Sequence, residues 1–194
     1  DSSTCVAPEI PIPGHWPLWA SLVTDPTGET VILWLSCSPE GRLYVTDQVF
    51  SRQSPEEIYS RYQRTTGGRR IVAMSAPDTM WRANPIQGRL WVQTYMDAGF
   101  RLIPGPSNWG EQVANLNRLF ASDSGSAPKL RVFPRCKRLL WELYNAASGE
   151  AKDPSRKSIQ ALLLLLSQGP RWRDMEGGRT RSGRTLKYPA PDVP

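Results

Sequence analysis

A single histidine, His15, and three scattered cysteines, Cys5, Cys37 and Cys136, leave this chain short of the usual means of metal and thiol chemistry. One imidazole excludes a histidine-rich zinc site and an HExxH centre. Three widely spaced thiols give no CxxC knuckle and no disulfide framework, and leave room only for one long-range bridge. No spacing supports pairing Cys37 or Cys136 with His15 as a nucleophilic centre. Neither a GxGxxG nor a P-loop sequence occurs, and no GxSxG elbow makes a nucleophile of Ser36, Ser51 or Ser75. The longest apolar run, Ala161–Leu166, is far short of the roughly 20 residues that span a bilayer. Asp1–Thr4 leads into a proline-punctuated segment rather than a basic and apolar leader, so no signal peptide is visible. These absences point to a soluble, intracellular product with no membrane partner. A start at Asp1 without methionine reads as a fragment or processed product.

What the sequence does hold is basic charge, unevenly placed. Lysine and arginine number 24 against 18 acids, and +5 of the net +6 lies in the last 44 of 194 residues. Anionic partners suit such a balance. The length fits one domain with a real core.

Apolar runs at 17–25 and 30–37, joined by the turn DPTGE, read as a hairpin, and LYVTDQVF at 43–50 follows as a third strand. Ser54, Pro55 and Glu57 then form a capping box that opens a helix to about Arg64. IVAMSA at 71–76 is a short buried strand. A helix at 86–97, the strand FRLIPG, a helix in SNWGEQVANLNRLFA, the strand KLRVFP, the helix KRLLWELYNAA and an apolar helix at 155–167 complete the alternation. The fold class is therefore α/β: a mixed sheet flanked by helices, with three sequential antiparallel strands followed by alternating helices and strands. Residues 1–168 form this domain, and 169–194 read as a basic tail rich in glycine, proline and arginine.

Asp78, just past the buried strand at 71–76, is the carboxylate best placed for a divalent cation and a phosphate; a loop or helix cap is its alternative role. Phosphoryl transfer with two metals needs further acids, and Asp25, Asp47, Glu150 and Asp153 are the candidates.

In order and spacing, five segments resemble the C-terminal nuclease domain of phage large terminase subunits. They are GHWPLWASLVTDPTGETVILW, LYVTDQVFSRQSPEEIYSRY, IVAMSAPDTMW, DAGFRLIPGPSNWGEQVANLNRLF and PKLRVFPRCKRLLWELYNAA, covering roughly residues 12–168. The resemblance implies an RNase H-like fold. It also implies a first-strand aspartate, a second after a later strand and a third acid near or on a C-terminal helix, together holding two Mg2+ or Mn2+ ions for cleavage of double-stranded DNA. The second position falls on Asp78. At the first stand His15, within GHWP, and Pro17 in place of a usual glycine. Where the family reads like DHAxDALRY this chain reads RKSIQALLL, with Arg156 and Gln160 at the acidic positions and Leu163 and Leu164 at the Arg-Tyr pair.

The catalytic candidates are thus Asp78, His15 and, as a displaced ligand, Asp153, with Asp78 as metal ligand. One carboxylate beside an imidazole and a guanidinium makes a poor cage for a hard cation. The expectation is a degenerate metal site in a domain that binds DNA, a terminase ATPase domain or a portal, within the host cytoplasm. An active endonuclease with relocated ligands and a non-enzymatic scaffold are the alternatives. Arg69, Arg70, Arg156, Lys157, Arg171, Arg173, Arg179, Arg181, Arg184 and Lys187 are the candidates for phosphate contact, with Trp172 and Tyr188 for stacking; a merely solubilising terminus is the alternative for the tail. Trp81, Trp91, Trp109 and Trp141 are assigned to packing.

Overall fold

Three consecutive strands, buried along most of their length, build the centre of the molecule. β1 (Leu18–Thr24), β2 (Thr30–Cys37) and β3 (Leu43–Ser51) form an antiparallel meander, and every residue of β2 is buried. The computed structural model describes residues 5–25, 27–82, 90–106, 109–121, 128–147 and 156–175. At the first turn the Asp25 carboxylate accepts from the Thr27 and Glu29 amides at 2.9 and 3.1 Å, and Gly28 takes a φ of 79° that side chains disfavour.

Helix α1 (Pro55–Thr66) begins at the expected capping box, with Ser54 and Glu57 exchanging bonds, and stops at left-handed Gly67. β4 (Ile71–Ala76) then pairs in parallel with β1. A 3-10 turn at Asp78–Trp81 is followed by α2 (Trp91–Asp97); residues 83–89, where the sequence begins this helix, lie outside the described residues. β5 (Ile103–Pro104) pairs with β4, α3 spans Gly110–Phe120, and β6 (Leu130–Val132) pairs in parallel with β3. α4 (Lys137–Ala147) and α5 (Lys157–Ser167) close the order. The sheet reads β5-β4-β1-β2-β3-β6, the mixed RNase H-like arrangement expected from the sequence.

Strand periodicity sorts the core onto two faces. Leu18, Ala20, Leu22, Ile32 and Trp34 face Ile58 of α1 and Val92 of α2. Trp19, Val23, Leu33, Leu35 and Val45 face Leu116, Leu139 and the leucines of α5. Ala161–Leu166 are all buried, because α5 lies on β1, β2 and β4 while α3 and α4 cover its back. Each buried leucine contributes about 1.5–3 kcal/mol, so this short helix carries much of the core.

Beyond α5 the chain stays on the domain. Gln168 Nε2 donates to the Ala20 carbonyl at 3.0 Å, the Arg173 guanidinium lies 5.8 Å from the Trp19 ring, and the Met175 amide donates to the His15 carbonyl at 3.1 Å. Residues 169–175 therefore run back along β1 as a strap. All three thiols are buried and none is in a disulfide, which closes the question of a bridge. Trp81, Trp91 and Trp109 pack against the core as expected, but Trp141 does not: it is 57 % exposed. Leu139 and Glu142 take the inner face of α4, which turns Trp141 outward.

Candidate functional site

The site implied by the sequence lies where β1, the end of β4 and the last helix meet. Register fixes that point, for Ser21 stands opposite Ser75 in the parallel β1–β4 pair. Ser21 Oγ donates to the Ala161 carbonyl at 2.7 Å and Ser75 Oγ to the Leu164 carbonyl at 3.3 Å, both from fully buried positions. Gln168 Nε2 adds a bond to Ser75 Oγ at 2.8 Å. The Leu164 side chain packs so tightly against Gly105 that a Cβ there would collide with it. Two hydroxyls, an amide and a leucine fill the meeting point, and all are uncharged.

A second cluster sits one turn away, where the β1–β2 hairpin meets the start of α5. Lys157 Nζ lies 2.6 Å from Asp25 Oδ2 and 2.5 Å from Glu29 Oε1, and Arg52 closes on Glu29 Oε2 at 2.7 Å. Desolvation resists ionisation of Asp25, but the Lys157 ammonium, the Thr27 hydroxyl and the Glu29 amide outweigh it and pull the carboxyl down to about 2. Glu29 is lowered by Lys157 and then by Arg52. Burial disfavours the Lys157 charge, yet its two carboxylates raise its pKa.

The neighbouring helix termini are tied into the same corner. Gln48 Oε1 accepts from the Arg138 and Leu139 amides at 3.1 and 3.2 Å, capping α4 from β3. Glu142 Oε2 accepts from the Ile159 amide at 3.1 Å, capping α5 from α4, and Ser158 Oγ donates to Glu142 Oε1 at 2.9 Å.

The nominated residues are spread across the molecule. His15 precedes β1 while Asp78 opens the turn after β4, and the parallel strands between them separate the two by roughly 20 Å. The imidazole meets the Trp172 ring edge-on with centroids 6.0 Å apart, so His15 packs against the strap. Asp47 pairs with Arg135 at 3.2 Å, and burial raises its pKa. Asp153 and Glu150 lie outside the described residues, as do Arg179, Arg181, Arg184, Lys187 and Tyr188.

Of the basic candidates, Lys157 is buried in its ion pairs with Asp25 and Glu29. Arg69 is half-buried and donates to the Trp16 carbonyl at 3.1 Å, with burial lowering its pKa. Arg156 is the half-buried N-cap of α5. Arg70, Arg171 and Arg173 are exposed. Burial pushes the Cys136 thiol up to about 12, which makes it inert at neutral pH.

Sequence reasoning missed Ser21, Ser75, Gln168 and Glu29. A faint signal existed for Ser21, the lone polar residue in the middle of the apolar run LWASLV. Its meaning depends on a strand partner more than fifty residues away, which no local pattern carries.

These features define an RNase H-like fold in which Ser21, Ser75, Gln168 and Leu164 fill the point where β1, β4 and α5 meet. Known structures with this fold include nuclease domains of phage large terminases. The P22 large terminase nuclease domain superposes with a TM-score of 0.68 at 13 % identity, over 93 % of this chain and 95 % of that one. The HK97 bacteriophage large terminase gives 0.62 at 13 % identity, over 86 % of this chain and 42 % of that one. The nuclease of thermophilic phage G20c with bound zinc gives 0.55 at 11 % identity, over 86 % and 95 %. The chain thus spans nearly all of the P22 nuclease domain and less than half of the HK97 protein. No protein-family model and no curated protein matches the sequence significantly. At such identities the likeness is one of fold.

The G20c nuclease holds a metal, so the donor set here needs the same test. Among the described residues no group of three His, Cys, Asp or Glu side chains converges on one point. Ser21 and Ser75 supply neutral hydroxyls already bonded to α5, and Asp25 and Glu29 are neutralised by Lys157. Hard divalent ions require several anionic oxygens, and these residues do not fit one.

Proposed function

We propose that this chain is a terminase-type nuclease fold, virus- or prophage-encoded and working in the host cytoplasm, that has lost metal-dependent cleavage and serves to hold DNA or a packaging partner. The observation that carries this reading is that α5 itself fills the point where β1 and β4 meet. Leu164 fills the strand edge, and the Lys157 ammonium is the cation that Asp25 and Glu29 bind. The exposed arginines Arg70, Arg171 and Arg173 remain for phosphate contact, joined by the tail candidates from Arg179 to Lys187. Such contacts are indifferent to base sequence and weaken steeply with salt.

Incubation of plasmid DNA with the protein and Mg2+ or Mn2+ tests the loss of cleavage. The expected outcome is intact plasmid together with a salt-sensitive mobility shift of duplex DNA. Efficient cutting that disappears in Asp78→Ala would establish an active site with relocated ligands and overturn the proposal. Absence of any duplex binding at low salt would leave only a protein-holding role and remove the DNA half of the proposal.

A further inference from the structure

α4 turns its largest side chains away from the core. Leu139 and Glu142 point inward, while Trp141 and Tyr144 are 57 % and 64 % exposed. Burial of a large apolar side chain is worth about 1.5–3 kcal/mol, so two such rings left in water mark a surface awaiting a partner. Phe50 of β3, 38 % exposed, extends the same patch.

The rings are layered with a cation. The Arg138 guanidinium lies 5.3 Å from the Phe50 ring and 5.0 Å from the Trp141 ring, while its Nε is held by Glu142 at 3.0 Å. That carboxylate holds the guanidinium while the Arg138 side chain stays 40 % exposed. Arg52, two residues beyond Phe50, is held in the same manner: Glu29 engages its Nε and Nη2 at 3.0 and 2.7 Å while its side chain stays 72 % exposed. Lys137 adds a further exposed charge. The carboxylates that touch the patch, Glu29 and Glu142, are only 8 % and 2 % exposed. What faces outward is therefore aromatic and cationic.

We propose that this patch binds single-stranded nucleic acid, with unpaired bases stacking on Trp141 and Tyr144 and phosphates meeting Arg52, Lys137 and Arg138. A duplex keeps its base faces stacked on one another, so only an unpaired strand offers π faces to these rings. Trp141 and Tyr144 are three residues apart on a helix, which sets their Cβ atoms about 5–6 Å apart and allows one strand to touch both. Pre-oriented arginines match phosphate oxygens in paired hydrogen bonds. The inference goes beyond a degenerate nuclease and does not depend on it, because the rings lie on α4 and not at the β1–β4 edge.

Fluorescence anisotropy with a labelled oligothymidylate and a duplex of matched length tests the platform. The wild-type chain binds the oligothymidylate, and Trp141→Ala combined with Tyr144→Ala weakens that binding at least about tenfold, with duplex affinity and thermal stability unchanged. Trp141→Phe retains most of the affinity. Arg138→Gln lowers the salt dependence by about 0.7 in log–log slope. Unaltered oligothymidylate binding in the double variant overturns the proposal, as does an equal loss for duplex. A wild-type dimer that the double variant converts to monomer also overturns it, by making the patch a self-association surface. Failure of the plasmid test above leaves these outcomes unaffected.

Discussion

Lys157 does in this fold what a divalent ion does in a carboxylate cage: it brings Asp25 and Glu29 to one positive charge and fixes the start of α5 on the hairpin. Lys157→Met leaves both carboxylates without their shared cation. A loss of about 3 kcal/mol is expected in urea unfolding at neutral pH, the low end for a broken buried pair because the Asp25 side chain keeps 26 % exposure. The pH dependence follows from the shifts. Asp25 ionises near 2 when folded and near its ordinary value of about 3.9 when unfolded. Its contribution is complete above about pH 4 and is lost as the pH falls toward 2. Lys157, raised in the folded state, contributes fully below its unfolded value and loses its share as the pH climbs through the raised one. Melting temperature followed from pH 5 to pH 2 should fall in the wild type, and Asp25→Asn should remove that part of the slope. An unchanged acid slope in Asp25→Asn would separate the pair from stability.

At the level of elements, α4 and α5 are capped by distant side chains in place of their own sequence. Glu142→Ala removes the acceptor of the Ile159 amide and the partner of Ser158, so α5 loses its tertiary cap. The expected cost is about 2 kcal/mol, and the Ile159 amide should lose protection in hydrogen exchange ahead of the rest of α5. Unchanged protection there would show that packing alone holds the helix start. These caps explain what the sequence hid. α1 was legible because Ser54, Pro55 and Glu57 carry its start within four residues, and the strands because β-branched runs alternate with turns. β5 shrank from FRLIPG to two residues, since Pro104 and Pro106 limit ladder bonding at that edge. The cap of α4 comes from Gln48, some ninety residues upstream, and no local pattern announces it. Trp141 misled for the same reason: the inner face of α4 is chosen by where α5 lies, not by which of its side chains is most apolar.

Across the whole molecule, the proposed loss of a metal site rests on packing more than on any one substitution. α5 sits on β1, β2 and β4, its carbonyls accept from Ser21 and Ser75, and the strap after it holds the far end of β1 through Trp172, Arg173 and Met175. Placing an acid on β1 beneath α5 should therefore not create chemistry. Ser21 is fully buried with its Oγ 2.7 Å from the Ala161 carbonyl, so Ser21→Asp sets an anionic oxygen against another oxygen in a dry corner. Desolvation raises the pKa of such a carboxyl, and the variant folds with it protonated or not at all. A destabilisation of about 3 kcal/mol is expected at neutral pH. Because the folded pKa is raised, the penalty is small below about pH 4 and grows as the pH rises from there. Calorimetry between pH 4 and pH 8 reads that trend, and plasmid incubation with Mn2+ reads the chemistry. Should Ser21→Asp alone keep wild-type stability at pH 8 and cut DNA, the corner must open far enough to admit an ion, and α5 is not the element that closes it.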